Sequence, residues 1–262
     1  MYYRMLNLFI MLIGCSAGLS SAATTSIRVE WQFTAPNEPL LGGYNLYQEG
    51  ILTCQTLEPS ATFMECHVPL TGAVTNFTMT AVFNDGSESS HSAPYSFSLR
   101  DRVQELYVGY LARAADQNGL KYWVENIVYG VLSLDQLRSN LINEQPEYNA
   151  IYYNLSRREL VSRIYLNLFM REPDPAGEAY WVTGGGTSVR ADQLVVALIN
   201  AASASDKQTL DNAVKVANYY TTKLGDASHF DLDMAAAVIA QVDHTSVSVT
   251  TAMAIIDSWS GL

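Results

Sequence analysis

The sequence predicts a small β-sandwich followed by an all-helical repeat domain, within a chain of 262 residues. Three observations predict it. Near the start, Ile27, Val29, Trp31 and Phe33 alternate strictly with Arg28, Glu30 and Gln32, the pattern of a half-buried strand. From Asp101 the apolar spacing becomes helical. Finally, LYVGYLARAADQNGLKYWV, beginning at Leu106, is repeated as IYLNLFMREPDPAGEAYWV, beginning at Ile164. Tyr107, Arg113, Asp116, Gly119, Tyr122 and Trp123 meet Tyr165, Arg171, Asp174, Gly177, Tyr180 and Trp181 at a constant offset of 58 residues. LDQLRSNLIN at Leu134 then aligns with ADQLVVALIN at Ala191, one residue shorter. An internal repeat identifies an architecture before any residue identifies a chemistry.

Residues 1–23 read as an export signal rather than as part of the fold. Arg4 supplies the positive start, residues 6–13 are apolar apart from Asn7, and small residues run through Ser20, Ser21, Ala22 and Ala23. The run is too short to be a permanent span, so no transmembrane helix is expected. Two processing readings stand side by side. Cleavage after Ala22 or Ala23 releases a soluble chain; alternatively Leu12-Ile13-Gly14-Cys15 fits the bacterial lipobox, making Cys15 an acylated lipid anchor. Both place the chain outside the cytoplasm, secreted, periplasmic or at the cell surface. In an oxidising compartment Cys54 and Cys66 form an even pair, which predicts a disulfide that stabilises by about 3 kcal/mol of loop entropy. Two thiols without a neighbouring His pair are too few for a metal site.

The sandwich is expected over residues 24–99. After the first alternating strand, Gly42-Gly43 turns into Tyr44–Tyr47, and Glu49-Gly50 turns into Ile51–Thr53. A long strand, residues 77–83, ends at Asn84-Asp85-Gly86, residues suited to a tight turn of positive φ. A last strand covers residues 95–98. Short strands at this spacing indicate an all-β sandwich.

The helical domain is expected over residues 100–262, with repeat one at about 102–148, repeat two at about 160–203 and a helical tail at 206–260. Val103, Leu106, Tyr107, Tyr110 and Leu111 form a buried stripe. Asp116 opens the next helix, which Gly130 ends. Ser133 with Gln136, and Ser156 with Glu159, fit capping boxes. Further helices are predicted over 145–154, 157–170, 175–182, 191–202, 206–224, 231–242 and 246–259. In Arg-x-x-Asp-x-x-Gly-x-x-Tyr-Trp, Asp116 or Asp174 caps a helix. Arg113 or Arg171 pairs with that Asp or with carbonyls ending the previous helix. Gly119 or Gly177 permits close packing, and the Tyr-Trp pair supplies core. The alternative, a catalytic or metal-binding Asp–Arg pair, is disfavoured because duplication is unusual for an active centre.

Two resemblances follow. Trp31, GYNLYQEG and FTMTAVFNDGSESSHSAPYSF resemble a fibronectin type III module, which implies a spacer or binding platform. The repeated signature, over roughly residues 102–203, resembles the bacterial domain-of-unknown-function family 4214, and the tail resembles the helical segment that often follows it. That resemblance implies an envelope or extracellular setting and no established activity. The second copy departs from the pattern at Glu172-Pro173-Asp174-Pro175 and in Gly184-Gly185-Gly186.

Catalytic signatures are sparse. His67, His91, His229 and His244 are scattered, without a zinc-binding helix pair. His229-Phe230-Asp231-Leu232-Asp233 reads as a loop and a helix cap rather than a ligand cluster. No nucleophile elbow, P-loop or calcium loop occurs. A net charge of −11 argues against nucleic acid and anionic membranes, which need clustered cations, and suits neutral glycans or cationic partners. Tyr129, Tyr148, Tyr152, Tyr153, Tyr219 and Tyr220 invite a glycan-stacking reading that core packing answers for most of them. The expected function is therefore non-catalytic and cofactor-free: binding or attachment at the bacterial envelope, to a glycan or another surface protein, with carbohydrate binding and adhesion as its forms. An extracellular polymer hydrolase, or its accessory module, is the first alternative; a structural linker in a surface assembly is the second.

Overall fold

The computed structural model describes residues 5–16, 24–34, 40–70 and 72–260. The protein is β in its first part and α in its second, and it divides into two compact units. One comprises Met1–Leu99 with Glu125–Asp135; the other comprises Arg100–Val124 with Gln136–Leu262.

Among the described residues the first unit has seven strands in two sheets. They are β1 (Met5–Ser16), β2 (Thr24–Phe33), β3 (Leu41–Gln48), β4 (Ile51–Thr56), β5 (Phe63–Pro69), β6 (Val74–Phe83) and β7 (Tyr95–Ser98). One sheet runs β1-β2-β5 and the other β4-β3-β6-β7, with antiparallel neighbours throughout. Alternation decides the faces: Ile27, Val29 and Trp31 of β2 and Phe77, Met79 and Ala81 of β6 are buried. Each large side chain so buried contributes about 1.5–3 kcal/mol.

Two strands were not read from the sequence. In β5, Met64, Cys66 and Val68 alternate inward, a short pattern overshadowed by its cysteine. In β1, residues read above as an export signal pair with β2 from Met5↔Phe33 to Ser16↔Thr24. An apolar run broken only by Asn7 satisfies a strand's needs as readily as a translocation signal's. Residues 1–4 and 17–23, with both expected cleavage points after Ala22 and Ala23, lie outside the described residues.

Cys54 of β4 and Cys66 of β5 are joined in a disulfide, with Cα atoms 6.0 Å apart. Because β4 and β5 belong to different sheets, the bond staples the two layers together.

The chain from Leu99 onward is helical: α1 (Leu99–Leu111), α2 (Gln117–Val128), α3 (Leu134–Asn143), α4 (Pro146–Tyr152), α5 (Arg157–Phe169), α6 (Pro175–Val182), α7 (Leu194–Asn200), α8 (Ala204–Leu224), α9 (Leu232–Ala237) and α10 (Ser246–Trp259). Short 3₁₀ turns cover Gly185–Ser188 and Ala191–Gln193. Local chemistry sets many of these limits. Ser156 and Glu159 form a complete capping box on α5, while Asp231 and Thr245 accept from backbone N–H groups opening α9 and α10. Apolar stripes at helical spacing make the core: Val103, Leu106, Tyr107 and Tyr110 of α1, Val161, Ile164 and Leu168 of α5, and Leu210, Ala213, Ala217, Tyr220 and Leu224 of α8. Among the described residues no helix is long and apolar enough to cross a membrane.

Candidate functional site

The repeated signature folds into the same corner twice. Ala112 follows α1 and Met170 follows α5, equivalent residues that both take a left-handed backbone, with φ of 53° and 54°. A non-glycine residue there costs about 1–2 kcal/mol, so the surrounding bonds hold the turn. Asp116 accepts from the Gly119 N–H at 2.7 Å. Asp174 accepts from Ala176 at 3.1 Å and Gly177 at 2.9 Å. Those bonds, led by the one from Gly177, hold the Asp174 carboxyl below the usual range. Each Asp is thus a helix cap.

The glycines are required by proximity. A Cβ on Gly119 lies 2.9 Å from the Tyr107 hydroxyl and 2.7 Å from an Asp116 oxygen, and one on Gly177 lies 2.9 Å from the Tyr165 hydroxyl. Burial, with the Asp116 charge adding to it, pushes the Tyr107 hydroxyl up to about 12. Burial raises Tyr165 as well.

The arginines reach further than their spacing suggests. Arg113 donates to Glu147 Oε1 from Nε at 3.0 Å and Nη2 at 2.8 Å. Arg171 donates to the two carboxylate oxygens of Asp206 at 2.7 and 2.8 Å, and lies 3.7 Å from Asp174. Glu147 and Asp206 stand in the first turns of α4 and α8. Each arginine therefore ties its corner to the start of a helix more than thirty residues on, rather than chiefly to the neighbouring Asp. Its guanidinium lies over the tyrosine of its own copy, 5.4 Å from Tyr107 and 5.2 Å from Tyr165. Burial, the largest influence on Asp206, favours protonation, but bonds from Arg171 and Ser203 outweigh it and leave the carboxyl below its usual range.

The Tyr-Trp pair is not uniformly core. Trp123 and Trp181 are buried, whereas Tyr122 and Tyr180 are each 53% exposed. Successive positions on a helix point about 100° apart, so only one of two adjacent aromatics can face inward. Each exposed tyrosine stands edge-on to its tryptophan, centroids 5.5 Å apart in the first copy and 4.9 Å in the second. Of the other tyrosines, Tyr129 and Tyr153 are exposed while Tyr152 and Tyr220 are buried. Tyr152 donates to Gly109 O and Tyr220 to Asp231 O, and Tyr148 packs on Tyr110 and Tyr152. Tyr219 donates to Asp257.

The copies differ in what surrounds them. Over the first, the tail returns: Ala114 N–H donates to Ala235 O at 3.1 Å, Gln117 N–H to Gly225 O at 2.8 Å, and Thr221 Oγ1 to Ala115 O at 2.6 Å. Phe230 covers Arg113, its ring centre 5.6 Å from the guanidinium. In the second copy the equivalents of Ala115 and Gln117 are Pro173 and Pro175, which have no N–H to satisfy, and Asp174, Pro175 and Ala176 are exposed. There α6 stops at Val182 and the chain enters Gly184, Gly185 and Gly186. Arg157 clamps that loop, donating to the carbonyls of Trp181 at 3.0 Å, Val189 at 2.8 Å and Gly186 at 2.7 Å. A Cβ on Gly186 lies 2.6 Å from the Trp181 ring, so this glycine serves packing and not a phosphate.

Elsewhere, His229 Nδ1 lies 2.8 Å from Asp226 Oδ2, and Asp231 caps α9 through the Met234 N–H. Among the described residues no group of three or more His, Cys, Asp or Glu could hold a metal ion.

No family profile matches the chain, and no curated protein does. Solved structures resemble it distantly. A structure described as a myokine is 14% identical over 37% of this chain and 97% of its own, with a TM-score of 0.28. The Yersinia enterocolitica family 28 exopolygalacturonase is 15% identical over 36% of this chain, TM-score 0.27, and this chain covers 20% of its length. The central fibronectin-III array of RIM-binding protein is 13% identical over 37% of this chain, TM-score 0.29, with 35% of its own length covered.

Proposed function

We propose that this is an exported, non-catalytic binding or attachment protein of the bacterial envelope, and that its repeated corners present rigid aromatic platforms to a glycan or another surface protein. One observation carries the reading: equivalent tyrosines, Tyr122 and Tyr180, stay half-exposed on both copies, each braced by a buried tryptophan. A braced ring loses little conformational freedom on binding, and its open face suits the C–H face of a sugar or an apolar side chain. Two supports accompany it. The Cys54–Cys66 disulfide fits an oxidising compartment, and the acidity of the chain fits neutral partners. The likeness to family 4214 and to a fibronectin-like spacer belongs to the same reading.

The test is a glycan-array and envelope-fraction binding assay on the mature protein, beside a double Tyr122→Ala/Tyr180→Ala variant. Binding that the double variant loses supports the proposal. Turnover of a polymer substrate without retained binding overturns it in favour of a hydrolase. Intact mass of the mature chain reads out whether Cys15 is acylated or removed.

A further inference from the structure

The strand β1 covers a sheet edge that both processing readings lay bare. It pairs with β2 from Met5↔Phe33 to Ser16↔Thr24, while β5 holds the other side of β2 from Thr24↔Pro69 to Glu30↔Phe63. Cleavage after Ala22 or Ala23 removes β1 whole. Cleavage before Cys15 removes Met5–Gly14 and leaves only Cys15 and Ser16 opposite Thr25 and Thr24. Either way Ser26–Phe33 lose their partner, and the β1-β2-β5 sheet becomes a pair of strands. The Trp31 N–H donates to Thr62 O, on the β5 side. Backbone direction alternates along an antiparallel strand, so the N–H and C=O groups of Arg28, Glu30 and Gln32 point to the side that β1 vacates.

The other edges are protected. The Cys54–Cys66 disulfide ties β4 to β5, and β7 has only four residues, behind Pro94. By contrast β2 has ten residues without proline or glycine, the kind of edge that pairs with another chain. Its charges choose the partner. Arg28 and Glu30 are the only charged residues of β2, and they flank Val29. If a second copy runs antiparallel across a two-fold axis at Val29, Arg28 of each copy lies opposite Glu30 of the other. Moving the axis to Arg28 or to Glu30 sets like charges opposite each other, which is destabilising. The Val29 register also sets Ile27 beside Trp31 of the second copy, so the buried row of Ile27, Val29 and Trp31 continues across the junction.

We propose that the edge of β2 is a self-association surface, covered by the leader strand until export and opened by its removal, where a second copy of the mature chain pairs antiparallel about Val29. This goes beyond the binding reading above and rests on its export step, since without cleavage the edge stays covered.

The experiment is sedimentation velocity on the exported chain across a range of concentrations, with intact mass showing where that chain begins. A monomer–dimer equilibrium is expected. Arg28→Glu makes the edge wholly acidic and Glu30→Arg makes it wholly basic, and each is expected to raise the dissociation constant about tenfold or more. Mixing the two variants sets Glu against Arg at both positions and restores association to within about threefold of wild type. Circular dichroism of each variant stays that of wild type, because both side chains reach solvent. A chain that has lost residues 5–14 yet stays monomeric overturns the proposal and leaves the export reading standing. Association that both charge variants keep also overturns it, because the contact then lies elsewhere. So does a monomer whose Arg28 and Glu30 amides are protected from hydrogen exchange only when envelope fractions are added, which gives the edge to another protein's strand. A mass that retains residues 5–14 overturns the export reading and this surface together.

Discussion

The first corner is roofed by the chain's own tail, and the second faces solvent. Their inner arrangement is the same: left-handed turn, Asp cap, glycine under a tyrosine hydroxyl, buried tryptophan, and arginine on a distant carboxylate. The differences lie in the backbone donors. Ala114 and Gln117 give their N–H groups to the carbonyls of Ala235 and Gly225. The second copy places Pro173 and Pro175 around its cap, and its Asp174 side chain is 56% exposed. The pair teaches that duplicated sequence preserves whatever a corner needs inside, while the outer positions report whether anything covers it.

The sharpest way to break that comparison is through the arginines. The Arg113 side chain is 7% exposed and that of Arg171 38%. Arg113→Ala strands Glu147, whose side chain is 23% exposed, and Arg171→Ala strands Asp206, whose side chain is 7% exposed and keeps its bond from Ser203. Urea unfolding should show a loss of about 1.5–3 kcal/mol for the first and about 3–5 kcal/mol for the second. A larger loss for Arg113→Ala would mean that cover by the tail, and not burial of the stranded carboxylate, sets the cost.

Alkaline titration comes next. A tyrosine ionises near 10 in an unfolded chain, whereas Tyr107 is held to about 12 in the fold. Folding is therefore favoured in full below about pH 10. That contribution, roughly 3 kcal/mol, is lost as pH rises from 10 to 12. Burial raises Tyr110 and Tyr152 in the same direction. Denaturation midpoints across that window should fall, and Tyr107→Phe should remove more of the fall than Tyr165→Phe.

Exchanging the proline positions tests the roof itself. Gln117 is the first residue of α2, where proline suits the helix, so Gln117→Pro removes only the donor to Gly225. A loss of about 1–2 kcal/mol is expected, with faster hydrogen exchange confined to the tail. The reverse change, Pro175→Gln, should cost about 0.5 kcal/mol, through the entropy of the unfolded chain. Smallest of all is the difference between the caps. Asp116→Ala and Asp174→Ala should each cost about 1 kcal/mol, and a large disparity would show that one Asp serves a second role.

Much of the fold was legible because its signals are local. Helix limits at Pro175, Ser156 and Asp231 follow from capping chemistry within one turn, and β2 and β6 from alternation along one strand. The strand β5 was hidden because seven residues give alternation little length in which to stand out. At the corners the caps and close glycines were readable from spacing. The partners of the arginines were not, since Glu147 and Asp206 lie 34 and 35 residues away. A signal was present in hindsight: both acids sit in the first turn of a helix, Glu147 beside Pro146 and Asp206 three residues after Ser203.

The sequence by itself determined that the chain is a sandwich followed by a duplicated helical motif, and that each copy contains the same corner. These features depend on residues within a few turns of one another, where periodicity and capping act directly. Only the tertiary structure decided that Tyr122 and Tyr180 face outward while Trp123 and Trp181 face inward. It alone matched each arginine with its acid and brought residues 221–235 of the tail over the first copy. Burial is a property of what returns from elsewhere in the chain, and no local pattern carries it. The repeat is thus one corner written twice, with an outer surface that tertiary contact leaves open on the second copy.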